Sequence, residues 1–360
     1  VSIWDQYLLN SGLMSHLRES YNVYYSETKS LDEDMNGMNS NVNDYNSLIN
    51  SIVNFTTSQR PAWEPKATNS DRKTEAQCIL AIGLLDYYMR EKRIERSLKQ
   101  ALEISLFLLE GWISNEWRAE DGSIIAINPD TNKPVTEGDI SVDVYTINNV
   151  IRNPYSKKHN WLITRKLVNK FDLFSKYPEF ESEILNQSKE LLLTDLNKLS
   201  KTYTNSSSDE ENIYLYTFYH DKRPSLLSGR YTEFLTDGTV LFDSPLPYSK
   251  VPLFRISQSE QIETSHGWSF SKNILSLQII LDKIWNALTK NNVAFGVQNL
   301  VGEKGSGITV SDISEGLRYL EVERGTKPPE PLNLLRSSPE SYNFTDKISQ
   351  KMQSLANVSD

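Results

Sequence analysis

The chain is poor in the residues that build redox and transition-metal sites. It holds one cysteine, Cys78, and four histidines, His16, His159, His220 and His266, in 360 residues. A lone cysteine excludes an internal disulfide. Set in an apolar helical pattern, Cys78 reads as a small core residue, and a reducing compartment is the simple reading. None of the histidines sits at ligand spacing from another histidine or from the cysteine, so no transition-metal site is expected. Long apolar runs are missing too: the longest, ISLFLLEGWI, is interrupted by Glu110 and Gly111, which excludes a spanning helix there and predicts no membrane partner. The opening VSIWDQYLLNSG has neither the basic region nor the apolar stretch of a signal peptide, and a start at Val1 points to a trimmed end. Gly302-x-x-Gly305-x-Gly307 lacks the Lys-Ser/Thr of a phosphate-binding loop, and the Gly-x-Ser-x-Gly of a nucleophile elbow does not occur. The expectation is a chain with no catalytic site, no cofactor and no metal.

What is present is aromatic and acidic. With 18 Tyr, 12 Phe and 7 Trp the chain can build a sizeable core, which excludes a disordered protein. A net charge of −9 argues against a surface that binds DNA everywhere. It is compatible with a protein that surrounds DNA and must let it slide.

Periodicity divides the chain into helical and extended parts. Residues 1–30 read as helical and surface-exposed, followed by an acidic, Asn-rich loop around Asp32, Glu33 and Asp34. Asn41–Thr57 reads as a short helix, ended by the two prolines of RPAWEP. Residues 73–90 and 92–110 read as successive amphipathic helices. The period then changes to two. Trp112–Asp121 and Gly122–Asn128 predict a hairpin turning at Asp121-Gly122. GDISVDVY predicts another strand, and Asn160–Lys166 a strand running into a short helix. From Pro178, PEFESEILNQSKELLLTDLNKLSK predicts a long helix with acidic residues at its start. Residues 212–256 read as a separate small β-rich unit. Its strand Tyr214, Tyr216, Phe218 is read as a sheet face ahead of a base-stacking platform.

The most informative stretch is His266–Asn299, which predicts one long helix with two unlike faces. Ile274, Leu277, Leu281, Ile284 and Leu288 step by three and four and form one apolar stripe. Lys272, Lys283 and Lys290 stack within roughly 20° of each other, nearly opposite that stripe. A lysine row can be a solvated helix face or a cation stripe for a polyanion, and the sequence leaves both open. The glycines of the following loop, Gly302, Gly305 and Gly307, with Lys304 among them, permit either a protrusion or an ordinary surface loop.

The order of these units resembles the portal proteins of tailed bacteriophages, particularly the short-tailed group. The likeness is carried by VNDYNSLINSIVNFTTSQRPAWEP, ALEISLFLLEGWISNEWRAEDGSI, NWLITRKLVNKFDLFSKYPE, PLPYSKVPLFRIS followed by HGWSFSKNILSLQIILDKIWNAL, and GLRYLEVERGTKPPEPLNLLRSSPESYNFTDKISQKMQSLANVS, in that order. The resemblance implies an α+β, helix-rich subunit: a wing region over 1–175, a first stem helix over 176–204, a clip over 205–262, a second stem helix over 263–298, and a channel loop with a returning wing segment over 299–360. It implies a ring of about twelve copies, with the stem stripe packing on the first stem helix and on a neighbour. It also implies a channel for double-stranded DNA bound without sequence specificity, and docking of the terminase large subunit, a head–tail adaptor and the major capsid protein. The setting would be the capsid vertex of a virion assembled in the host cytoplasm, with no enzymatic activity in the chain itself. The channel residues it suggests are Lys272, Lys283, Lys290 and Lys304, with Gly302, Gly305 and Gly307 in the channel loop. The sequence ends at Asp360 without the crown that portals carry after the last wing helix. Two other readings stand beside it: an α+β virion scaffold or adaptor, and a hydrolase whose carboxylate pair only the fold would bring together.

Overall fold

The computed structural model describes residues 1–26, 42–59, 64–67, 69, 71–119, 121–127, 134–186, 212–295, 300–301, 325, 330–331 and 339–357. The fold is α+β. Five helices come first: α1 (Ser2–Asn10), α2 (Leu13–Tyr24), α3 (Asp44–Thr56), α4 (Arg72–Glu91) and α5 (Ile94–Phe107). Strands β1 (Gly111–Arg118), β2 (Ile124–Ile127), β3 (Pro134–Thr136), β4 (Asp139–Thr146), β5 (Val150–Ile151) and β6 (Trp161–Asn169) follow, then the short helices α6 (Lys170–Lys176) and α7 (Glu181–Leu185). The second half holds β7 (Asn212–His220), β8 (Arg230–Leu235), β9 (Val240–Ser244), β10 (Leu253–Ile256), β11 (Ser259–Glu260) and β12 (Gly267–Trp268). It closes with α8 (Ser271–Phe295), β13 (Leu300–Val301), β14 (Glu330–Pro331) and α9 (Pro339–Ala356).

Two antiparallel sheets carry most of the extended chain, one ordered β10-β1-β4 and one ordered β5-β6-β7-β8-β9. Trp112, Tyr145, Leu162, Tyr219, Leu246 and Leu253 pack between them, one large apolar face against another. The helical layer is built around α8. Ile274, Leu281 and Leu288 are buried, while Leu277 and Ile284 are half-buried. Their partners are α2, α3, α5 and α9 of the same chain, with Ile49, Val53, Ile348 and Met352 in the shared core.

Buried polar groups fix how α8 meets its neighbours. Gln278 is fully buried, and its Oε1 accepts from the Tyr45 backbone N–H at 3.0 Å. That N–H belongs to the first turn of α3, where no intrahelical acceptor exists. Asn43 satisfies another, accepting from Asn46 N at 2.9 Å. Ser349 of α9 donates to Asp44 at 2.6 Å, so the start of α3 is clamped by two other helices.

Five expectations change. The first helices are not a surface layer: Trp4, Leu8, Leu13, Met14 and Leu17 are core residues, because α1 and α2 cover the sheet and α8. Strand β1 does not turn back at Asp121-Gly122. It pairs with β4 from Gly111↔Thr146 to Arg118↔Asp139, while β2 pairs with β3. Gly122 and Gly138 face each other with φ of 93° and 79°, so the Asp-Gly pair bends one long two-stranded arm instead of closing a turn. Residues 212–256 are not a separate unit, since β7 pairs with β6 along its whole length and β10 pairs with β1. Helix α8 begins at Ser271, because Gly267–Trp268 is spent pairing with β11. Its stripe is covered within the subunit, by α2, α3, α5 and α9, because both ends of the chain fold onto it. The helix from Pro178 is seen as a 3-10 turn and α7; the rest of 178–201 lies outside the described residues, as does the acidic stretch 31–41.

The register of α8 is open to a direct check. Leu281→Ala removes a fully buried side chain and should cost about 2–5 kcal/mol, whereas Ile280→Ala on the exposed flank should be close to neutral. Denaturant unfolding of both variants decides it, and a reversed order would mean that the helix is rotated.

Candidate functional site

Three features compete for the functional site: the outer face of α8, a buried charged cluster under α1, and a tyrosine–carboxylate network between the sheets. On α8, Lys272, Lys283 and Lys290 are all exposed, on the side opposite the buried stripe. At 1.5 Å per residue the row is about 27 Å long. The one carboxylate on this helix, Asp282, is half-buried and accepts from Gln278 at 2.7 Å, which turns it away from the row. Lys304, Gly302, Gly305 and Gly307 lie outside the described residues.

The charged cluster was not legible in the sequence. Glu110, at the junction of α5 and β1, is fully buried. It accepts from Arg152 Nη2 at 2.5 Å, from Trp112 Nε1 at 2.9 Å and from the Gly267 backbone N–H at 3.0 Å. The Arg152 guanidinium lies 4.8 Å from the Trp4 ring centre and 5.1 Å from that of Trp112, a cation held between two indole faces. Arg152 and Arg255 both donate to Ser265 O, at 3.1 and 2.8 Å.

Two histidines converge on this cluster. His266 Nε2 donates to Gln261 Oε1 at 2.9 Å, and His266 Nδ1 shares a hydrogen bond of 3.1 Å with Tyr7 OH. Burial lowers the His266 pKa, opposed by Glu110 and reinforced by Arg152. His159 is lowered to about 4, first by burial and then by Arg152 and Arg255.

The third feature bears on catalysis. The fold brings Glu116 of β1 towards Glu233 of β8. Tyr219 OH donates to Glu116, and Tyr231 OH donates to Glu233 at 2.5 Å. Tyr177 donates to the second oxygen of Glu233 at 2.7 Å, and Lys176 stands 3.3 Å away. Burial raises the Glu116 pKa, against the Tyr219 bond that lowers it. These carboxylates are engaged by protein donors, which is the geometry of a structural network. The cleft of about 610 Å³ between α3, α5 and the end of α9 is lined by Ile52, Phe55, Leu102, Leu106 and Phe270 and contains neither of them.

Among the described residues no group of three His, Cys, Asp or Glu side chains could hold a metal ion. Among them too, no helix is long and apolar enough to cross a membrane. The four histidines do not assemble a ligand set: His16 is turned into the α2 core and His220 hydrogen-bonds to Asp221 O at 2.7 Å.

No protein-family model matches the chain, and no curated protein matches it.

The buried histidines give the cluster a pH signature. His159 has a native pKa near 4 against an ordinary 6.5, so on acidification the unfolded chain takes up a proton that the native chain refuses. Its contribution to stability is therefore whole above pH 6.5 and is lost as the pH falls from 6.5 towards 4. His159→Gln should flatten the fall in Tm across that window. An unchanged slope would show that His159 is not buried beside the two arginines.

Proposed function

We propose that this chain is a subunit of a phage portal: a non-catalytic ring at one capsid vertex through which double-stranded DNA is packaged and released. The observation that carries the reading is the face of α8. An acidic protein sets three lysines in a row about 27 Å long on the exposed side of the longest helix among the described residues and turns that helix's carboxylate inward. A stripe of that kind meets phosphates through charge without reading bases. The buried stripe behind it holds the helix rigid, as a channel wall requires. The order of the sequence units supports the same reading.

Because α8 buries its stripe within the subunit, the ring contacts belong to other surfaces. The clip and stem regions, the number of copies, and the docking of terminase, adaptor and capsid protein remain parts of the same proposal.

Native mass and negative-stain imaging test the ring: twelve copies of a 41.3 kDa chain give roughly 0.5 MDa. Replacing Lys272, Lys283 and Lys290 together by Gln should lower DNA retention by the assembly and reduce its dependence on salt. Equal retention at every salt concentration would remove this face from the DNA path.

A further inference from the structure

The charged cluster under α1 leaves polar atoms of three side chains without a protein partner. Arg152 is fully buried, yet its Nε and Nη1 have no hydrogen-bond partner among the described residues. Ser265 is 1% exposed, and its Oγ is in the same position. So are both ring nitrogens of His159, which are out of solvent although the residue is half-buried. Buried polar atoms in proteins are nearly always hydrogen-bonded, so each of these calls for a partner.

The three side chains are neighbours. Ser265 O accepts from Arg152 Nη2 at 3.1 Å, and Ser265 N donates to Pro154 O at 3.2 Å. These bonds lay the approach to α8 against the segment between β5 and β6. His159 is on that same segment. Its ring centre lies 6.1 Å from that of Trp112, and the Arg152 guanidinium lies 5.1 Å from the same indole. Arg152 and Arg255 are the two charges that act on it most strongly.

What these groups lack is an acceptor. A guanidinium offers only N–H groups, Ser265 adds a hydroxyl, and a neutral His159 adds one N–H. The buried acceptor beside them, Glu110, already takes bonds from Arg152 Nη2, Trp112 Nε1 and the Gly267 N–H. Charge points the same way. Two arginines face this carboxylate, Arg152 with no exposed side-chain surface and Arg255 with 18%. Glu260, the other partner of Arg255, is 58% exposed, so solvent screens it. The buried part of the cluster thus holds one cation more than its carboxylate balances, and an unbalanced buried charge is costly. A water would accept from these donors, but it brings two hydrogens of its own and no charge.

We propose that a small inorganic monoanion, of the size of chloride, binds among Arg152, Ser265 and His159. Hydrogen bonds from a charged donor to an anion are stronger than neutral ones, and the two indole faces on the guanidinium direct its remaining N–H groups sideways, in its own plane. A ligand taken up by the native chain alone stabilises the fold, so the anion would brace the contact between α1, the β5–β6 segment and the approach to α8. The site involves neither the lysine face of α8 nor assembly, and it stands or falls apart from the portal reading.

Denaturant unfolding of the full chain at pH 7 tests it, with sodium chloride replaced stepwise by sodium gluconate at one ionic strength. The folding equilibrium constant should rise with chloride, approaching about tenfold for each tenfold increase once the site fills. Ser265→Ala and His159→Phe should each raise the half-saturating chloride concentration by about tenfold or more. Crystals grown in sodium bromide give a readout that needs no variant: an anomalous peak within hydrogen-bond reach of Arg152 Nη1 and Ser265 Oγ. Equal stability in chloride and gluconate overturns the proposal. So does a chloride dependence that both variants leave unchanged, which marks a general surface effect. An ordered water there, without anomalous signal, overturns it as well.

Discussion

Glu110 and Arg152 lie wholly out of water and form an ion pair there. Removing one member of such a pair costs about 3–5 kcal/mol, because the remaining charge has nowhere to go. The pair is tolerable here because much of its hydrogen-bonding capacity is met, although Nε and Nη1 of Arg152 have no hydrogen-bond partner among the described residues. Trp112 and the Gly267 backbone take up further lone pairs of Glu110, Ser265 accepts a second Arg152 proton, and two indole faces cover the cation. These groups come from four parts of the chain. The α5–β1 junction, the residue after β5, the approach to α8 and the N-terminal helix can satisfy the pair only if all arrive together.

Helix α1 shows how far this constraint reaches. It has nine residues, too few to be stable alone. Three of its side chains meet three buried or half-buried groups. Trp4 covers Arg152, Asp5 stands 3.4 Å from Arg165, and Tyr7 hydrogen-bonds to His266. Burial raises the Asp5 pKa, and Arg165 opposes it. Helix α1 is thus part of the core.

Strong local periodicity made much of the architecture legible in the sequence. The stripe Ile274, Leu281, Leu288 and the passage from β6 into α6 both follow from spacing. Long-range pairing did not. Asp5 reads as a surface residue until Arg165 is placed beside it, and Ser20 does so until Tyr45 OH and Phe107 O stand 2.7 and 2.6 Å away. Asp121-Gly122 carries the chemistry of a tight turn. The chain uses its left-handed glycine as a bend, because Gly138 lies opposite and the strand pairing resumes beyond it. The charged cluster was invisible for the same reason: Glu110, Arg152, Arg255 and His266 share no spacing, only a destination.

The covering of the α8 stripe changes what the helix can do. An amphipathic helix with a free apolar stripe spends that stripe on its partner, and its polar face is then merely what remains. Here the stripe is already spent on α2, α3, α5 and α9, with Gln278 locked into the first turn of α3. Rotation of α8 about its axis would expose Leu281 and strip the Tyr45 N–H of its acceptor, two losses that packing does not repay. The orientation of the lysine face is therefore fixed by the interior of the subunit and does not wait on assembly. Charge presented in that way is set before any polyanion arrives, so meeting one costs no reorganisation of the helix.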